Sequence, residues 1–268
     1  IWLLMLPGWQ GIVLADAMEH RAPNVGLMGL VALGAALMRA AGCAYNDIVD
    51  RDIDARVART AMRPIPAGQI SVGQAWGFVI ACCLASLAIL LSLPPTAVAL
   101  GVASLALVAA YPFMKRITWW PQAWLGLVFS WAALVGWPAV RGEMSETILL
   151  LYAGSIFWVI GYDTIYAIQD IEDDALVGVR SSARTLGSRV RGGVAVCYAA
   201  ALILWCFALW RERPDGLALV ALLPMATHLL HQVVTLKPDD GEDALAKFRS
   251  NRFAGLLMFL ACLVVGTS

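Results

Sequence analysis

With 268 residues, 60% of them apolar and 14% charged, and a mean hydropathy of +0.74, the chain is too oily and too sparsely charged for an ordinary soluble domain. It reads as an all-α, polytopic membrane protein. The formal net charge is zero, but the charges avoid the long apolar runs and collect in a few connectors, so the balance carries no nucleic-acid signal. Cys43, Cys82, Cys83, Cys197, Cys206 and Cys262 lie inside apolar runs without metal-ligand spacing and read as small core hydrophobes rather than disulfides or ligands.

A helix needs about 20 apolar residues to cross the hydrocarbon core. Nine stretches qualify, at roughly 1–17, 25–45, 73–93, 96–113, 119–139, 147–168, 192–210, 216–236 and 252–268. Ile1 to Leu6 are already apolar, with no basic leader or small-residue cleavage site, so the chain is expected to begin inside its first helix, without a signal peptide and with a segment upstream missing. Pro94-Pro95 splits one long apolar stretch into a helical hairpin, because proline cannot donate a ladder hydrogen bond and restricts the residue before it. Pro138 and Pro224 are expected to mark kinks or helix ends.

Basic residues divide fourteen to four between the two sides, leaving aside Arg39, which falls within the second span. The rich side holds Arg51, Arg56, Arg59, Arg63, Lys115, Arg116, Arg180, Arg184, Arg189, Arg191, Lys237, Lys247, Arg249 and Arg252. That side is expected to be cytoplasmic, in a bacterial inner membrane. It also carries the long connectors, about 46–72 and 169–191, where function tends to concentrate. Each half, about 1–140 and 141–268, places an Asp-rich stretch at the inner end of an even-numbered helix followed by a basic loop. The chain is therefore expected to be a single domain of two diverged halves.

The acidic stretches carry the chemistry. In Asn46-Asp47-Ile48-Val49-Asp50-Arg51-Asp52-Ile53-Asp54, helical spacing lets Asn46, Asp50 and Asp54 converge, with Asp47 one ridge away. Asp163, Asp170, Asp173 and Asp174 form a second cluster, in which Asp170 and Asp174 repeat the i, i+4 spacing. Such clusters repel themselves unless cations neutralise them. Hard divalent cations take oxygen ligands, and magnesium is usually held by one or two carboxylates together with substrate phosphates. Arg56, Arg59 and Arg63 follow the first cluster, Arg180 and Arg184 the second, and Lys115-Arg116 sits between them; forks and ammonium groups of this kind recognise phosphate oxygens. Solvated loop charges are the plainer alternative, but ionisable residues at membrane depth mark function. For Arg51, Arg189, Arg191 and Arg252 the positive-inside rule suffices. Arg39 lies two turns before Asn46 and must line a cavity or meet an aspartate.

His20, His228 and His231 have no acidic or cysteine partner in ligand spacing and read as structural. Trp9 and Trp119-Trp120 fall near helix ends, where interfacial aromatic belts account for them. Trp158, Tyr162 and Tyr166 form a stripe running down to Asp163 and Asp170, which packing explains most simply, although such faces also shelter cations. A transporter with a midplane site is the rival class; against it, the aspartates cluster at one membrane face.

Asn46-Asp47-x-x-Asp50-x-x-x-Asp54, followed by Arg59-Thr60-x-x-Arg63-Pro64, resembles the first signature of the UbiA superfamily of intramembrane aromatic prenyltransferases. Tyr162-Asp163-Thr164-x-Tyr166-Ala167 and Asp170-x-x-Asp173-Asp174, with Gly178, Arg180, Ser181 and Ser182 after them, resemble the second. The resemblance covers nearly the whole chain. Arg39 to Cys43, Tyr111-Pro112-x-x-Lys115-Arg116 with Pro121-Gln122, and the Tyr-Asp-Thr form of the second motif are most similar to the members that prenylate 4-hydroxybenzoate for ubiquinone. Homogentisate and naphthoate are the rival acceptors. The family's basic segment ahead of the first helix is absent from this sequence.

The resemblance implies a nine-helix bundle around a central cavity that opens to the cytoplasm and, laterally, to lipid. It implies Mg2+ held by Asp47, Asp50 and Asp54 on one side and Asp170 and Asp174 on the other, bridging a polyprenyl diphosphate. Asn46, Arg59, Arg63, Lys115, Arg116, Tyr162, Tyr166, Arg180 and Arg39 would bind substrates, and Asp163, with Asp50 and Asp170, would serve catalysis. The allylic C–O bond would ionise and the cation would be attacked by the ring carbon ortho to the phenol.

Overall fold

The computed structural model describes residues 1–56, 60–171, 176 and 178–266. Arg59, Asp173 and Asp174 lie outside the described residues. The helices are α1 (Trp2–Met18), α2 (Val25–Asp54), α3 (Val72–Leu90), α4 (Pro95–Ile117), α5 (Pro121–Ser130), α6 (Ala132–Arg141) and α7 (Glu146–Tyr166). A 3-10 turn, Ala167–Asp170, follows, then α8 (Ser182–Leu186), a second 3-10 turn (Gly187–Arg189), α9 (Val190–Glu212), α10 (Gly216–Thr235) and α11 (Gly241–Gly266). Among the described residues there is no strand, as the bilayer requires of a spanning chain that is not a closed barrel.

Among the described residues eight helical runs, with α5 joined to α6, α7 to its 3-10 turn and α8 to α9, are long and apolar enough to cross a bilayer. The expected first span is α1, a 17-residue helix whose positions from Met5 to Asp16 are almost all buried. It packs against α2, α6 and α11. The Pro94-Pro95 hairpin forms as expected, with Pro95 in the first turn of α4, where its missing N–H costs nothing. Pro138 sits one turn from the end of α6, and Pro224 lies inside an unbroken α10. The break within the fifth span falls instead at Trp131, where the ladder gives way to Trp131 N to Val128 O (3.4 Å) and Leu134 N to Trp131 O (2.9 Å). The Trp131 indole there donates to Leu100 O of α4 at 2.9 Å, a tertiary anchor that no local signal announces.

The larger core runs through α1, α5 to α7 and α9 to α11, with Trp158, Tyr162 and Trp205 completely buried. In a membrane, helices associate through close packing, which small residues permit. A side chain at Gly161 of α7 would put its Cβ 2.4 Å from the Tyr198 ring of α9, and one at Gly136 of α6 would meet Gly8 O of α1 at 2.3 Å. A smaller core joins α2 to α3 around Ala41, Ile48, Val79 and Cys82. Phe78 and Ile80 of α3, Val196, Ile203 and Phe207 of α9, and Val220, Leu223 and Leu230 of α10 remain exposed, as surfaces meant for lipid do.

The connector expected at about 46–72 is shorter than the sequence suggested, because α2 continues through Asp54. Four aspartates in nine residues disfavour a helix end taken alone. Cations from elsewhere in the fold neutralise them, and the helix persists.

Candidate active site

The inner end of α2 presents its acids in two directions. Seven residues bring a helix back to within about 20° of the same line, and Asp47 and Asp54, seven apart, share one partner. Arg63 Nη1 donates to Asp47 Oδ1 and Asp54 Oδ2, both at 2.8 Å. Thr60 Oγ1 donates to Asp54 O at 2.9 Å, satisfying a carbonyl that the helix end would leave open. Asp50 lies about 60° off that line and turns toward α4. Its carboxylate is completely buried and takes Lys115 Nζ at 2.5 Å on Oδ2 and Arg116 Nη2 at 2.9 Å on Oδ1. The convergence of Asn46, Asp50 and Asp54 expected from the i, i+4 pattern is therefore divided: the seven-residue spacing aligns better with 3.6 residues per turn than the eight-residue one.

The end of α4 is tied to the second acidic region through the connector that follows it. Arg180 N donates to Lys115 O at 3.1 Å and Arg180 Nη1 to Ile117 O at 2.7 Å. Ser182 N donates to Gln122 Oε1 at 3.0 Å, and the hydroxyls of Ser182 and Thr164 meet at 2.7 Å. Gln122, Thr164, Ser181 and Ser182 are all buried. This frame sets Lys115 of the first half beside Arg180 of the second.

On α7 and its 3-10 extension, Asp163 and Asp170 are again seven apart. They line a polar vestibule of about 240 Å³ together with Asn46, Asp54, Arg63, Lys115, Tyr166 and Arg180. Asn46, Arg63, Tyr111 and Tyr166 also border a second cavity of about 680 Å³, bordered mainly by α2 to α6 and lined largely by apolar side chains such as Leu30, Leu87, Val108 and Phe129. Arg39 opens into this larger cavity with its Cζ 5.5 Å from the Phe129 ring centre. Asp163 belongs to the lining of the vestibule and Arg39 to that of the apolar cavity.

The structure thus brings Asn46, Asp54, Arg63, Lys115, Asp163, Tyr166, Asp170 and Arg180 around one space. Asp47 lies at its border with the apolar cavity. Asp50 sits behind Lys115, and Arg116 lies over Asp50 outside the vestibule lining. Tyr162 faces the core, completely buried, with its ring 5.1 Å from Trp158 and 5.8 Å from Phe248, and its hydroxyl finds no partner among the described residues. Of the aromatic stripe, Tyr166 alone reaches the cavities, braced by Phe248 at 4.5 Å. Tyr111 and Gln122 belong to the lining as well. Tyr111 was detectable as the residue one helical turn before Lys115. Gln122 entered only through the family resemblance, as part of Pro121-Gln122, and nothing in its local spacing marked it.

The vestibule's donor set is carboxylate and amide oxygen, hydroxyl, ammonium and guanidinium, with no histidine or cysteine. These residues fit a hard divalent cation shared with phosphate oxygens better than a soft metal in an all-protein cage. Among the described residues no three acidic, histidine or cysteine side chains converge tightly enough to hold an ion by themselves. A ligand that brings its own oxygens suits that arrangement.

Comparison with known proteins agrees along the whole chain. A model of the UbiA prenyltransferase family matches residues 4–263. The mitochondrial 4-hydroxybenzoate polyprenyltransferase of Bos taurus is 44% identical over 263 residues, spanning 97% of this chain and 70% of that one. Its counterpart in Caenorhabditis elegans is 40% identical over 262 residues, spanning 96% and 72%. The apo structure of a UbiA homolog from Aeropyrum pernix K1 superposes with a TM-score of 0.81 at 26% identity, covering 97% of each chain. A UbiA homolog from Archaeoglobus fulgidus bound to DMAPP and Mg2+ shares the fold, with a TM-score of 0.69 at 19% identity over 99% of each chain. With a family model matched almost end to end, relatives at this identity over nearly all of this chain and the same helical bundle, the chain belongs to the UbiA prenyltransferase family.

Proposed function

We propose that this protein transfers a polyprenyl group from polyprenyl diphosphate to the ring carbon ortho to the hydroxyl of 4-hydroxybenzoate, in ubiquinone biosynthesis. The observation that carries the reading is the junction of the two cavities: a vestibule with carboxylates and cations opens, past Tyr111 and Tyr166, into an apolar space of about 680 Å³. A diphosphate head suits the first and a polyprenyl tail the second.

Residue roles follow from position. Lys115, Arg180 and Arg63 face the diphosphate and take up the charge that develops on it as the allylic C–O bond breaks. Asn46, Asp47 and Asp54 on one side and Asp170, with Asp174, on the other would hold magnesium, whose chemistry when bound is neutralisation of diphosphate charge. Asp50 serves this centre through Lys115 and Arg116. Tyr111 and Tyr166 line the passage where the allylic carbon lies, and their ring faces shelter its positive charge. Arg39 recognises the acceptor's carboxylate from the apolar side, and Asp163 orients the phenol and receives a proton during substitution. The surrounding bundle keeps water from the cation. The whole chain acts as one domain whose two halves each supply an acidic pair. The site faces the side that carries the basic connectors, the cytoplasmic side if the membrane is a bacterial inner membrane, a placement supported by the fourteen-to-four bias of basic residues; the named relatives are mitochondrial.

The test is an assay of membranes containing the protein with 4-hydroxybenzoate and radiolabelled polyprenyl diphosphate, with and without magnesium. Magnesium-dependent formation of prenylated 4-hydroxybenzoate is expected. Product with homogentisate or a naphthoate but none with 4-hydroxybenzoate would reassign the acceptor, and no product with any of them would overturn the transferase reading.

A further inference from the structure

Trp119 lies in the connector between α4 and α5, where its position alone suggests an interfacial anchor. Its surroundings show a different use. Arg180 Cζ stands 5.4 Å from the Trp119 ring centre and Arg184 Cζ stands 5.5 Å from it. Arg180 is held from two further directions, by Lys115 O on its backbone N–H and by Ile117 O on its Nη1, while Arg184 donates to Val179 O. Together these contacts form a bracket: two carbonyls of the α4 end fix where Arg180 begins and turns, and the indole face limits where its guanidinium swings. Arg180 lines the vestibule beside Lys115.

An arginine left free to move loses rotamer freedom when it clamps an anion, and one already held loses less. A guanidinium over an indole is attracted by the ring quadrupole, with the effect larger where the pair is partly shielded from water. We propose that Trp119 is a positioning residue for the diphosphate: its ring holds Arg180, with Arg184 behind it, in the orientation that meets the leaving group. The neighbouring Trp120 has its backbone N–H on Thr118 Oγ1 and begins α5, so it serves as the internal control for an aromatic belt. The proposal rests on the transferase reading above and deepens it.

The experiment compares Trp119→Leu, Trp119→Phe and Trp120→Leu, measuring KM for each substrate, kcat and equilibrium binding of polyprenyl diphosphate to the detergent-solubilised protein. Trp119→Leu is expected to raise both the KM and the dissociation constant for polyprenyl diphosphate roughly three- to tenfold, leaving kcat and the KM for 4-hydroxybenzoate within about twofold. Trp119→Phe, which keeps an aromatic face, restores most of the affinity, and Trp120→Leu changes neither value. Unchanged diphosphate binding in Trp119→Leu, a loss confined to kcat, or the same loss in Trp120→Leu would overturn the proposal. If Trp119→Leu does not accumulate as folded protein, the cycle of Trp119→Met, which removes the aromatic face, with Arg180→Lys decides, since additive effects on diphosphate affinity would refute the coupling. A wild-type protein that binds polyprenyl diphosphate but transfers it to no acceptor would defeat the functional reading and leave the bracket testable by binding alone.

Discussion

Replacing Asp50 by Asn removes the one charge that both Lys115 and Arg116 touch. The amide keeps the shape but exchanges two charge-assisted hydrogen bonds for weaker ones, and one of its two heavy atoms is now a donor facing a cation. Hydrogen bonds to charged groups contribute about 1.5–3 kcal/mol each. The side chains of Lys115 and Arg116 are 25% and 43% exposed, so water compensates part of the loss and the lower end applies, about 3 kcal/mol for the pair. At about 1.4 kcal/mol per tenfold, a misplaced Lys115 should cost roughly a hundredfold in kcat/KM. Prenyl transfer in membranes, normalised to the folded protein extracted by detergent, measures it. The magnesium dependence separates two roles: an anchor for Lys115 and Arg116 leaves half-saturating magnesium unchanged, whereas a direct ligand raises it. Activity within about threefold of wild type would refute both.

Lys115→Ala should raise the KM for polyprenyl diphosphate more than that for 4-hydroxybenzoate, because Lys115 lines the vestibule and not the apolar cavity; equal effects in steady-state kinetics would mean that the residue only sets topology. Asp163→Asn should slow transfer at least tenfold, consistent with the loss of acid–base assistance, while polyprenyl diphosphate still binds; loss of that binding would place Asp163 with the diphosphate instead. Gly161→Val should destabilise the α7 and α9 contact by about 1–3 kcal/mol through overpacking, since its Cβ would lie 2.4 Å from the Tyr198 ring. A thermal unfolding midpoint in detergent equal to that of wild type would show that the two helices can separate without cost.

Much of the site was legible because its determinants are local. Charges inside an apolar segment stand out against the bilayer's cost for them, so Asn46, Asp54, Asp163 and Asp170 could be marked from spacing, and Lys115 and Arg180 from their nearness to helix ends on the basic side. Directions were harder. Asp50 looked equivalent to Asp54, yet it faces α4, and Tyr162, which the family resemblance set at the substrate and its spacing explained as packing, lies in the core against Trp158 and Phe248. Which side of a helix meets the cavity depends on where its neighbours lie, and those neighbours are distant in the chain.

The sequence by itself determined that the chain is a bundle of membrane-spanning helices and at which helix ends its acidic and basic residues gather. Hydrophobic length, proline placement and the distribution of Lys and Arg are properties of short segments, and the bilayer reads them one segment at a time. The tertiary structure decided how the cations and anions pair: Arg63 across Asp47 and Asp54, Lys115 and Arg116 on Asp50, Arg180 against Trp119 and the Lys115 carbonyl. It also decided that α2 continues as helix through its acids to Asp54. Those outcomes depend on charges brought together from positions tens of residues apart, and a carboxylate cluster is stable as helix only after the fold has delivered its partners.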